Sequence, residues 1–152
     1  MYMPMQNLCG NFTVNTDKRD LSKVYGLDFP TIIAPGTDKV GAVWAISAET
    51  GKTLWKYEQR AGVFSLVSTG GGLVFGGDAN GRFPAFDERT GNVLWETNLA
   101  APVSGYPITF SVDGKQYLSV AMGPSGVANS TLRVTPELKP STTGQVFVFA
   151  LP

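Results

Sequence analysis

One eleven-residue pattern occurs twice in this chain, and that repeat constrains the fold more than any other feature. The fuller copy is Ala85-Phe86-Asp87-Glu88-Arg89-Thr90-Gly91-Asn92-Val93-Leu94-Trp95. The earlier one is Ala45-Ile46-Ser47-Ala48-Glu49-Thr50-Gly51-Lys52-Thr53-Leu54-Trp55. Their glycines lie 40 residues apart (91 − 51), and Gly41 recurs as Gly81 in the same register. A period of roughly 40–45 residues, with strand-like runs between tight turns, is the signature of a propeller blade.

The chemistry of the unit supports this. Ala85-Phe86 ends a strand. Asp87 to Gly91 is a turn, because Asp bonds nearby backbone N–H groups and Gly accepts positive φ. Val93-Leu94-Trp95 returns as a strand of β-formers. A lone hairpin cannot bury both faces, so such units must stack. A flat indole at one fixed place per repeat predicts how: the ring of one unit lies against the Ala and the Thr-Gly backbone of the next. In the first copy Ser47 replaces Asp, and its hydroxyl can act similarly.

Composition limits the chemistry available. Twelve basic and twelve acidic residues give zero formal charge, with no basic stripe for nucleic acid. The chain has no His, which removes the commonest general base and metal ligand. Cys9 is alone, so no intrachain disulfide forms; it reads as a small buried hydrophobe. No apolar stretch reaches membrane-spanning length. Residues 1–5 lack the charged and apolar regions of a secretory signal. At about 40 residues per blade, 152 residues give three to four blades at most. The expectation is therefore an all-β partial propeller, the C-terminal piece of a longer ring.

Along the chain, Pro4 marks an edge strand or a strand end near the start. Residues 17–39 read as loop, with Asp17-Lys18-Arg19-Asp20 a solvated turn and residues 34–39 turn chemistry. Strands are expected over 63–67 and 73–77. Asn80-Gly81 predicts a type I′ turn, and Asp113-Gly114 another hairpin. Residues 123–144 read as a long loop. Residues 145–151 form a strand, preceded by Thr143-Gly144 as a decayed third copy of the turn.

The pattern A-x-D-x-x-T-G-x-x-x-W resembles the tryptophan-docking motif of quinoprotein dehydrogenases, the propeller enzymes that use pyrroloquinoline quinone (PQQ). Ser104-Gly105-Tyr106-Pro107-Ile108-Thr109, Asp113-Gly114-Lys115-Gln116-Tyr117 and the closing Phe147-Val148-Phe149-Ala150-Leu151 are similar to the C-terminal part of PQQ-dependent methanol and ethanol dehydrogenases. The resemblance implies that residues 1–152 are about three of eight four-stranded antiparallel blades. It implies a periplasmic enzyme holding PQQ and a calcium or lanthanide cation, oxidising a small primary alcohol by hydride transfer. The remaining blades of the parent propeller and a cytochrome c acceptor would be its partners. The chain alone would be inactive: the family's catalytic aspartate, cation ligands, adjacent-cysteine disulfide and the Trp beneath the cofactor all precede this stretch.

Three segments match family positions that approach the cofactor. Pro4-Met5-Gln6-Asn7-Leu8-Cys9 resembles the segment that offers an amide to a quinone oxygen. An ungapped match selects Gln6, with Asn7 the alternative; both could instead satisfy local backbone. Phe64 stands where the family has a Trp after the docking hairpin, keeping an aromatic face without the N–H; by itself it reads as core. Gly126-Val127 stands where the family has Gly-Trp, so Gly126 can bring backbone close to a ligand while Val127 lacks the ring. Trp55 and Trp95 are structural by their period. Asp78, Asp87 and Asp113 are turn formers. A different class of function is a non-enzymatic propeller scaffold of the bacterial envelope, of the outer-membrane assembly type, which leaves the Asn7-Leu8-Cys9 and Ser104-Gly105-Tyr106-Pro107-Ile108-Thr109 segments without a role.

Overall fold

The computed structural model describes residues 1–14, 27–28 and 30–150. In chain order the strands are β1 (Tyr2–Gln6), β2 (Leu8–Gly10), β3 (Thr13–Val14), β4 (Leu27–Asp28), β5 (Thr31–Ile33), β6 (Gly41–Ile46), β7 (Thr53–Gln59) and β8 (Val63–Ser68). Then follow β9 (Leu73–Asp78), β10 (Arg82–Asp87), β11 (Val93–Asn98), β12 (Ile108–Val112), β13 (Lys115–Met122), the helix α1 (Gly126–Val134) and β14 (Gln145–Ala150). Three antiparallel sheets dominate, ordered β1-β6-β7, β11-β10-β9-β8 and β12-β13-β14. One is a complete four-stranded blade; the flanking two have three strands each. The stack does not close on itself, as a partial propeller requires.

Each docking hairpin pairs in the same register. Ala45 stands opposite Trp55, and Ala85 opposite Trp95. Both carry a register irregularity at the same point, Ala45/Ile46 and Ala85/Phe86. Along β7 alternation is strict: Trp55, Tyr57 and Gln59 turn inward while Leu54, Lys56 and Glu58 face out. Pro4 sits on β1, the edge of its sheet, where a missing N–H costs least.

The apolar core lies between sheets. Val43, Ala45, Trp55, Val63, Val74 and Phe86 join the first sheet to the second. Phe75, Phe83, Leu118, Val120 and Met122 join the second to the third, with Phe147 and Phe149 against them. The second sheet is thus half of two cores, and alone it would expose both faces.

The docking turns form as the sequence implies. Asp87 Oδ1 accepts from the backbone N–H of Arg89 and Thr90 and from the Thr90 hydroxyl, at 2.8–3.0 Å. Ser47 Oγ accepts from Thr50 N–H at 3.3 Å, the weaker version. The turn at Asp113-Gly114 has positive φ at both residues (51° and 77°), the type I′ signature.

Several expectations need correction. Residues 123–144 are not only loop: α1 forms because Ser125 caps it, accepting from Ala128 N–H at 3.1 Å. Its buried face includes Ala128 and Thr131, and a Thr there hid the helical period. Residues 31–33 form a strand that pairs with 8–10, and Cys9 on that two-stranded ribbon is exposed, not buried. The Asn80-Gly81 turn has positive φ only at Gly81, so it is not type I′; Asp78 Oδ1 holds it instead, accepting from Asn80 and Arg82 N–H. Thr143-Gly144 leads into β14 from an irregular segment, whereas both docking turns join directly paired strands, β6 to β7 and β10 to β11, so it is no third copy. The alanine opposite Trp55 is Ala45 of its own hairpin; Ala85 packs in the other core. The segment 17–20 lies outside the described residues. Among those described, no helix is long and apolar enough to cross a membrane.

Candidate functional site

The sheets have two chemically different ends. At one lie the docking turns, and the second is bonded to the β8–β9 turn of its own sheet, where Glu88 N–H donates to Gly72 carbonyl at 2.9 Å. At the other the inter-strand connections form a hydrogen-bonded belt. Asn7 N–H donates to Val40, Ala79 N–H to Gly62, Val103 N–H to Asp78 and Gly123 N–H to Pro102, all at 2.7–2.9 Å.

All five candidate residues lie at the belt end. Gln6 closes β1 opposite Gly41 and is half-buried. Among the described residues its amide has no hydrogen-bond partner. Asn7 is committed, its Nδ2 donating to Lys39 carbonyl at 3.0 Å. That bond gives Asn7 the local backbone role and leaves Gln6 as the open donor. Phe64 is half-buried on β8, next to Gly62, where α1 packs. Gly126 opens α1, and a side chain built there would meet nothing within 4 Å. Val127 is 54% exposed. No side-chain hydrogen bond joins any two of the five; what unites them is the belt beneath.

The belt also holds groups that no short motif signals. Gln59 is 5% exposed and donates through Nε2 to Asp78 Oδ2 at 3.2 Å, while its Oε1 is buried without a partner. Burial pushes the Asp78 carboxyl up to about 6, against the lowering effect of the Arg82 and Asn80 N–H bonds and of the Arg82 charge. Arg60 reaches the 34–40 connection and the end of α1. The only sequence clue in this group is Asp78 before Asn-Gly; the partners of Arg60 are distant backbone carbonyls, which leave no pattern.

At the other end, a hollow of about 460 Å³ opens between the second and third sheets, lined by Leu73, Phe75, Trp95, Tyr117 and Phe149 among others. Trp95 is 42% exposed there and touches Phe83 and Phe149 edge-on. It is therefore less buried than its period implies. Trp55, at 8% exposure, has a following docking turn to lie on; after β14 no such turn lies among the described residues.

The belt offers an unpaired amide, an aromatic ring and open backbone at a helix start. This donor set matches one wall for a flat ring with polar edges. Among the described residues no group of three or more His, Cys, Asp or Glu is arranged to hold a metal ion.

Comparison with known proteins bears on the same segments. Residues 60–118 match the family described as glucose/ethanol/alcohol dehydrogenase, beta-propeller domain. A quinoprotein ethanol dehydrogenase of Pseudomonas putida is 37% identical over 90 residues, 59% of this chain and 14% of that protein. A 1-butanol dehydrogenase (cytochrome c) of Thauera butanivorans is 36% identical over 119 residues, 77% of this chain and 17% of that protein. The chain thus spans less than a fifth of the length of these two relatives. The structure of a europium-containing methanol dehydrogenase superposes with a TM-score of 0.82 at 29% identity, covering 99% of this chain and 30% of that one.

Proposed function

We propose that this chain, which resembles the PQQ-dependent alcohol and methanol dehydrogenases in sequence and fold, forms propeller blades and part of the cofactor wall of such an enzyme. The whole protein would oxidise a primary alcohol in the periplasm and pass electrons to a cytochrome c. When bound, PQQ supplies the two-electron acceptor for that oxidation, with a calcium or lanthanide cation beside it whose ligands are not in this chain.

The residues present fit one side of the quinone. Gln6 has a free amide to donate to a ring oxygen. Phe64 offers an aromatic face from β8, at the rim of the family-matched segment. Gly126 leaves room for a ligand edge against the start of α1. Val127, exposed beside it, would add apolar cover. Trp55 and Trp95 would hold the blades and leave the cofactor alone. Without an aspartate base or cation ligands the chain would bind without turning over.

The observation that carries this reading is the convergence of three separated segments, 6–7, 64 and 126–127, on the belt end of the sheets. The envelope-scaffold alternative gives that convergence no task, and the relatives are dehydrogenases. The test is reconstitution of the whole protein containing this chain with PQQ and calcium or a lanthanide, followed by dye reduction with primary alcohols. Alcohol-dependent reduction is expected; absence of PQQ uptake contradicts the reading.

A further inference from the structure

We infer that Arg60 is the positioning residue of the candidate cofactor wall, a single guanidinium that ties its separate segments together. Its purpose rests on the proposed function; its geometry does not. Arg60 lies in the short connection between β7 and β8. Its Nε donates to Glu137 Oε1 at 2.6 Å, Nη1 to Asp38 carbonyl at 2.7 Å, and Nη2 to Val134 carbonyl at 3.2 Å. Its own carbonyl accepts from Val40 N–H at 3.4 Å.

Two of these contacts lead to wall segments. Asp38 precedes Lys39, whose carbonyl receives the Asn7 amide, and Asn7 is fixed beside Gln6. Val134 is the last residue of α1, whose first residue is Gly126. Two residues beyond Arg60, Gly62 lies under α1. A side chain there would come within 2.9 Å of Thr131 Oγ1 and 3.4 Å of the Phe64 ring. One side chain therefore joins the Gln6-Asn7 and Gly126-Val127 segments to the root of the Phe64 strand.

Arginine suits this work for a physical reason. Its planar guanidinium presents donors in several fixed directions and stays charged, so one group can satisfy acceptors from different segments. A cation at the carbonyl end of a helix also meets the negative end of its dipole. A lysine ammonium is a point charge on a flexible stem and cannot span the same three acceptors. Phe64 sits at the register irregularity between Val63 and Ser65, in a strand whose other residues pair with β9. The fork aligns the other two segments to it.

The test is hydrogen exchange on the full chain for wild type, Arg60→Ala, Arg60→Lys and Glu137→Gln, with PQQ equilibrium dialysis of the whole protein carrying the same substitutions. Both Arg60 variants should raise exchange in α1 and in residues 7 and 37–40 together, by about tenfold or more, the loss of charged hydrogen bonds. Amides of β9 and β10 should not change, and Glu137→Gln should have the smaller effect. Full protection in Arg60→Lys, or a response in only one segment, overturns the inference. If wild type takes up PQQ, Arg60→Ala should bind it about tenfold more weakly; equal binding overturns the positioning role. If wild type takes up none, the quinone reading falls, and the exchange data alone decide whether Arg60 couples the segments.

Discussion

The indole nitrogen of Trp55 donates to the backbone carbonyl of Glu88, 33 residues away in the next sheet, at 2.9 Å. The same ring covers Gly91, where a Cβ would lie 2.6 Å from ring carbons. Trp55 thus reads the docking turn of its neighbour by one hydrogen bond and one missing side chain. Trp95, its repeat partner, meets no such turn among the described residues and is half-exposed.

This asymmetry sets the cost of losing each ring. Trp55→Ala should destabilise the chain by about 3–5 kcal/mol, the range for a buried large-to-small change. Trp95→Ala should cost roughly half as much or less, since about half of the ring already faces water. Denaturant titration of the two variants measures the difference. Equal losses would mean that the rings are equally buried in solution.

Glycine at the docking turn is required for two reasons that mutation separates. Gly51 and Gly91 both have positive φ, 68° and 73°, but nothing lies within 4 Å of a Cβ at Gly51. Gly51→Ala should cost about 1–2 kcal/mol, the left-handed backbone penalty alone. Gly91→Ala should cost that and about 1–3 kcal/mol more for pushing Trp55 away. Thermal or urea unfolding compares the pair, and the Gly91 variant should also shift Trp fluorescence.

Two carboxylates should give stability opposite dependences on pH. The folded Asp78 carboxyl, raised to about 6 by burial, binds protons that the unfolded chain releases. Its contribution falls as pH rises from about 4 to about 6, by roughly 3 kcal/mol at most, and stays low above. Asp78→Asn keeps the Oδ1 acceptor for Asn80 and Arg82, so it should remove this fall and stabilise the chain near neutrality. Asp87, held below the usual range by the Thr90 hydrogen bonds, contributes stability above its unfolded value and loses it as pH drops through its folded one. Unfolding curves of wild type, Asp78→Asn and Asp87→Asn between pH 3 and 8 check the two signs.

Gln6 and Asn7 should separate by role. Asn7→Ala breaks the bond to Lys39 carbonyl and should cost about 1 kcal/mol of stability. Gln6→Ala breaks none and should leave stability nearly unchanged. If Gln6 faces the quinone, the same change should weaken PQQ binding to the whole protein, measured by dialysis.

The repeat made the fold legible because each part has a local cause. The Asp87 turn, the indole and the alternation in β7 are all written within a dozen residues. Pro4 likewise announced an edge strand. What stayed hidden depends on distant partners. Trp95 is exposed because among the described residues no docking turn lies against it, which no residue near Trp95 records. Helix α1 buries Thr131 where a hydrophobe would have marked its period. Cys9 is exposed because its ribbon has only two strands. For the site, sequence named Gln6, Phe64 and Gly126, which fall at the belt end of the sheets. It missed Arg60, whose acceptors are mostly main-chain carbonyls up to 74 residues away.

The account rests on an indole of one sheet seated on the turn of the next, and amide NMR reads that seat directly. The Trp55 indole N–H should be protected from solvent exchange, and Gly91→Val should abolish that protection, while the Trp95 indole N–H exchanges freely. Equal, fast exchange at both indoles in the folded chain would contradict the docked arrangement and the blade architecture built on it.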